Sequence, residues 1–152
     1  MSWKQLLAQH KVQLHTTSKQ ELDGLRALIE RDLTDAALAG LSADRRFATA
    51  YNAALQTAKM VIACAGYRVT RTPGHHRLHF EAAQIALGSS AHRFLDYFEM
   101  SRRKRNIIEY DYAFAATDTE AEEILTEAKA FISFVEEWIG LKNPSLAKNS
   151  PS

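Results

Sequence analysis

Apolar residues that return every three or four positions, over stretches too long for strands, constrain this chain more than any other feature. Phe47, Tyr51, Ala54, Leu55, Ala58, Ile62 and Ala65 share one helical face. Ser42 can cap that helix, and Gly66 suits a left-handed terminator. Before it, Ser18-Lys19-Gln20-Glu21 reads as a capping box. It opens a helix with Leu22, Leu25, Ile29 and Leu33 on one side, ending near Gly40. A shorter, weakly periodic helix over Trp3 to Leu14 precedes both.

The same spacing continues downstream. An extended stretch, Tyr67 to Thr72, leads into Pro73, which suits a first helical turn. The helix that follows runs to Leu87 and stops at Gly88-Ser89-Ser90. A long helix from Ala91 to Ala115 carries Phe94, Phe98, Ile108 and Tyr112. Thr117-Asp118-Thr119-Glu120 is a second capping box. It starts a last helix, with Ile124, Ala128, Phe131, Val135 and Trp138 in register and Gly140 closing it. Six Gly and three Pro in 152 residues are too few for a turn-rich β architecture. The expected fold is all-α, an antiparallel up-and-down bundle of about five helices plus a short N-terminal helix. Residues 1–16 read as a helical appendage, 17–141 as the bundle and 142–152 as a disordered tail.

Composition removes several classes of function. Hydrophobic residues at 46% can fill a core, which a disordered chain cannot do. No apolar run reaches the ~18 residues of a membrane span. The first residues lack the apolar core of a signal peptide. A cytoplasmic protein with no membrane partner is expected. Cys64 is the single cysteine, so no internal disulfide is possible, and its neighbours Val61 and Ile62 mark it as a small buried hydrophobe. Trp138 and Phe131 continue a core stripe, and Asp111 and Asp118 make no spaced carboxylate pair. Neither a glycine-rich phosphate loop nor any other cofactor motif is present, so no cofactor is expected.

A net charge of +1 hides an uneven distribution. From Gly66 to Arg105 there are eight Arg/Lys against three Asp/Glu, with four of the six His. From Asn106 to Leu141 there are nine acids against one lysine. Either the basic part binds an anion, or the two segments face each other and neutralise.

The cations concentrate in Ser101-Arg102-Arg103-Lys104-Arg105-Asn106-Ile107-Ile108-Glu109-Tyr110. Four successive like charges on one helix repel, so something must offset them. At about 100° per residue, Arg105 falls about 20° from both Phe98 and Tyr112, on the apolar stripe. A charge aimed at a core or an interface needs a partner. Glu109, one turn on, can form a salt bridge with it. Alternatively Arg105 and Asn106, with Arg102 and Arg103 beside them, line a groove for phosphate, to which the planar guanidinium is well matched.

His75-His76-Arg77-Leu78-His79 is a second cluster. His75 and His79 have the spacing of a zinc pair, but Glu81 points to another face and no metal site is expected. His75 or His76, at a helix start, can instead join the anion site of Arg105 and supply a group that titrates near neutrality.

Arg105-Asn106-x-x-x-Tyr110 resembles the Arg-polar-x-x-x-His motif of HEPN domains, the higher eukaryotes and prokaryotes nucleotide-binding family. The context is similar in the same order: Ala50-Tyr51-Asn52-Ala53-Ala54-Leu55, Ala65-Gly66-Tyr67-Arg68-Val69, Gly74-His75-His76-Arg77, then Arg102 to Asp111. The likeness spans about Ala43 to Trp138. It implies a helical homodimer whose motif helices meet at a shared groove. It further implies RNA or a nucleotide as ligand and, in many relatives, metal-independent endoribonuclease activity as a toxin with a nucleotidyltransferase-type antitoxin. By that resemblance Arg105 holds the scissile phosphate, Asn106 positions it, and the residue at Tyr110 handles the proton.

Tyr110 stands where the family has histidine. Tyrosine ordinarily ionises near pH ~10 and is a poor general base at neutrality. It can still donate to a phosphate or stack on a base. The expectation is therefore binding, with weak or no cleavage. The competing expectation is a protein-interaction module in which Arg102 to Tyr112 forms a dimer or antitoxin interface, mixing Arg and Tyr as interface hot spots do.

Overall fold

The computed structural model describes residues 1–71, 75–110 and 113–151. Among these the chain forms six α-helices: α1 (Trp3–Ala8), α2 (Lys19–Ala36), α3 (Ala43–Cys64), α4 (His75–Leu87), α5 (His92–Tyr110) and α6 (Asp118–Lys142). Two short strands, β1 (Val12–Leu14) and β2 (Tyr67–Val69), and 3-10 turns at Ser89–Ala91 and Pro144–Leu146 complete them. The architecture is the expected all-α bundle.

The caps act locally. Ser42 accepts from Arg45 N and starts α3, and Gly66 leaves it at φ +97. Thr117 and Glu120 bond each other's backbone as a full capping box on α6. Ser18 caps Glu21 N, but the Glu21 carboxylate turns away to His15 and Thr17, so only half of that box forms.

α3 is the central helix, packed against α2, α4, α5 and α6. Its alanines Ala50, Ala53, Ala54 and Ala58 are fully buried and let the neighbours approach. Leu22, Ile29, Tyr51, Phe98, Phe131 and Val135 meet around them. Tertiary ion pairs then lock the layers. Arg26 donates to Glu136 through Nε and Nη2, both at 2.8 Å, and to the carbonyl of Leu146 at 2.8 Å. Arg46 donates to the carbonyl of Ala36 and to Glu122.

Several expectations need correction. The first helix stops at Ala8: His10 adopts φ +58, and Val12–Leu14 pairs antiparallel with Tyr67–Val69 instead. An extended 67–69 segment leaves its backbone groups unpaired unless a second strand meets it. Residues 1–16 are accordingly no appendage. Leu6 and Val12 form a second small core with Ile62, Leu78 and Ala82, and Trp3 stacks on Tyr67 at 4.3 Å. Gly140 does not end α6, which continues to Lys142, and nothing lies within 4 Å of where a Cβ would sit there. The stretch read as a disordered tail turns back at Pro144–Leu146, where Leu146 packs on the core. α2 ends at Ala36, short of Gly40. Pro73 and Tyr112, assigned roles above, lie outside the described residues.

Candidate functional site

Tyr51 has no exposed surface, yet its hydroxyl has no hydrogen-bond partner among the described residues. Arg105, arriving from α5, sets its guanidinium carbon 6.0 Å from the centre of the Tyr51 ring. Arg105 Nε is also buried without a partner. Sequence spacing put Arg105 on the apolar stripe of α5, and the structure carries that stripe onto α3. The expected Arg105–Glu109 salt bridge is absent, because Arg105 turns inward over Tyr51 while Glu109 stays exposed.

His76, in the first turn of α4, closes the site from a third helix. Its ring lies 6.1 Å from that of Tyr51, and His75 meets it edge-on at 4.4 Å. Burial, reinforced by His75, Arg105, Lys59 and Arg102, pushes the His76 pKa down to about 4. Every charged neighbour acting on it is a cation, so His76 is neutral at pH 7 and reports a region of positive potential. Tyr51 is held far above the ordinary tyrosine value by burial, opposed in part by Arg105 and Arg102. It stays a hydroxyl donor at any physiological pH.

The remaining motif residues divide. Arg102 is half-buried and tied to Glu99, with Nη2 at 2.9 Å. Arg103 and His75 are exposed, and Asn106 is half-buried beside Arg105 in sequence. Tyr110, the last residue of α5, is 78% exposed. It stands five positions after Arg105, about 140° around the helix. The structure therefore joins Arg105 to Tyr51 and His76 and leaves Tyr110 in solvent. Sequence reading placed Tyr51 on the core stripe of α3 and in the stretch similar to HEPN domains, without giving it a role at the site. Its signal was a hydroxyl-bearing side chain on an otherwise alanine-rich buried face.

The basic and acidic segments neutralise each other in part. Glu127 and Glu120 of α6 neutralise Arg93 and Lys104, while Arg105 keeps its face toward Tyr51.

The other candidates are structural. His79 is buried, its Nδ1 donates to the His75 carbonyl at 2.6 Å, and burial lowers its pKa to about 4. No group of three or more potential metal-ligating side chains converges among the described residues. Cys64 is half-buried, and burial raises its thiol to about 11, which suppresses the thiolate.

The chain matches no family model, and no curated protein or solved structure is significantly similar to it. No helix among the described residues is long and apolar enough to cross a membrane.

Proposed function

We propose that this chain is a HEPN-like module that holds RNA or a nucleotide by a phosphate at Arg105, in a groove completed by a second copy, and that it binds more than it cuts. The observation that carries this reading is two buried donors where α5 meets α3, Arg105 Nε and Tyr51 Oη, neither with an acceptor among the described residues. An orphaned buried donor costs about 1–3 kcal/mol, and a phosphate oxygen can accept from both. Arg102, Lys59 and His75 add a positive potential that draws a polyanion toward them. Arg103 and Asn106 flank Arg105 along α5 and can contact neighbouring phosphate and sugar.

Proton transfer in this reading moves from Tyr110 to His76. A bound phosphate replaces cationic repulsion with attraction and lifts the imidazole back toward the neutral range. His76 then becomes the base beside Arg105 for a ribose 2′-hydroxyl, without a metal. The lift is partial, because burial and the cations Arg102 and Lys59 still oppose protonation, and cleavage stays weak.

Titration of a labelled single-stranded oligoribonucleotide by fluorescence anisotropy tests the proposal. Arg105→Ala should weaken binding at least about tenfold, a loss of about 1.4 kcal/mol, with an unchanged melting temperature. Wild-type affinity should fall steeply from about 50 to 200 mM salt. Unchanged binding in the variant, or salt-insensitive binding, would sink it.

A second reading, a protein-interaction module, has its own observation. Phe114 is 92% exposed and adopts φ +62, and Tyr110 just before it is 78% exposed. An aromatic side chain held in solvent on strained backbone, with a second exposed aromatic four residues before it, suits a partner surface. A nucleotidyltransferase-type antitoxin or a second copy of this chain is the occupant in that reading. Light scattering of the protein alone separates the copy from the foreign partner.

A further inference from the structure

An open cleft of about 1110 Å³ lies between α2, α3, β2 and the start of α4, where His75 and His79 line it. Leu25 and Leu28 of α2, Ile62 of α3 and Val69 of β2 give it apolar walls. Lys59 of α3 reaches into it half-buried. Burial alone pushes the Lys59 pKa below the ordinary lysine value, and no carboxylate acts on it. Glu21 is the single acid lining the cleft among the described residues. It is occupied by His15 at 2.8 Å and Thr17 at 2.8 Å, so it is no counter-ion for Lys59.

A desolvated ammonium among apolar side chains is costly unless an anion meets it. The cleft therefore asks for one negative charge attached to an apolar body. Phosphate dianions prefer several converging donors, and among the described lining residues that are not exposed Lys59 is the one cation without a partner, because His79 has already spent its Nδ1–H on the His75 carbonyl and His15 meets Glu21. Arg68 and Arg71 line the cleft but are exposed, at its rim.

We propose that this cleft binds a monoanionic organic acid with an aliphatic body, its carboxylate on Lys59 and its chain along Leu25, Leu28 and Ile62. Neither Arg105 nor Tyr51 lines the cleft, so the assignment does not rest on the phosphate reading, although Lys59 and His75 contribute to the potential of both sites.

Decanoate is the probe, titrated into the full chain by calorimetry beside 1-decanol and inorganic phosphate. Decanoate should bind saturably, and each of the other two should bind at least about tenfold more weakly, since one lacks the charge and the other the chain. Lys59→Met keeps the apolar stem and should lose at least about tenfold in decanoate affinity. Arg105→Ala should change it by less than about twofold, because Arg105 does not line the cleft. In the wild-type protein the Lys59 ε-methylene carbon resonance should shift with decanoate and not with 1-decanol, a readout that needs no variant to fold. Absence of saturable decanoate binding, equal affinity in Lys59→Met, or phosphate binding as tightly as decanoate would each overturn the assignment.

Discussion

Arg105 and Tyr51 meet face to side across α5 and α3, 6.0 Å apart, and each leaves a buried donor unmatched. A cation over an aromatic ring contributes about 0.5–1 kcal/mol at a partly exposed site. Two unmatched donors cost about 1–3 kcal/mol each. The arrangement is therefore poorer in stability than a plain apolar contact. Tyr51→Phe removes one orphan while keeping the ring. Urea unfolding should register no loss, or a gain of up to about 1 kcal/mol. Phosphate or oligoribonucleotide affinity should nevertheless fall severalfold. A fall in stability with unchanged binding would make Tyr51 a purely structural residue.

Acid should unfold this protein through its histidines. His76 and His79 have folded pKa values of about 4, below the ordinary 6.5. Between those values the unfolded state binds more protons, so stability rises with pH across the window and is lost as pH falls from 6.5 toward 4. The combined loss should be on the order of 2–4 kcal/mol, with His76 discounted for its solvent-facing half. Urea midpoints at pH 7.5, 5.5 and 4.5 measure it. His79→Gln should flatten the curve; an unaltered slope would place the acid sensitivity elsewhere.

Phe114 is held at φ +62 by Asp44, whose carboxylate accepts from Phe114 N at 2.6 Å and Ala116 N at 2.8 Å. Phe114→Gly removes the left-handed strain but loosens the unfolded chain, so the net change should stay within about 1 kcal/mol. Loss of self-association or partner binding at that small cost would support the interface reading. Unchanged association would remove Phe114 from it.

Arg26 ties α2 to α6 and to the chain end through Glu136 and the Leu146 carbonyl, and its own exposure is 8%. Arg26→Ala strands a partly buried Glu136 and should cost about 3–5 kcal/mol, read from denaturant midpoints. Arg77→Ala, at an exposed pair with Glu81, should cost under about 1 kcal/mol in the same assay.

The bundle, its caps at Ser18, Ser42 and Thr117 and the left-handed Gly66 were determined by sequence alone, because each depends on residues within about four positions. The importance of Arg105 was legible too, since a cation on an apolar stripe needs an explanation wherever the stripe leads. Its partner was not. Tyr51 lies 54 positions away, and only the packing of α5 on α3 decides that the guanidinium turns over that ring and not toward Glu109 one turn along its own helix. The same holds for Val12–Leu14, which extends because Tyr67–Val69 offers it backbone hydrogen bonds that a helix there would forgo. Local spacing sets which elements form; long-range burial decides which polar atoms are left without partners, and so where a ligand can bind.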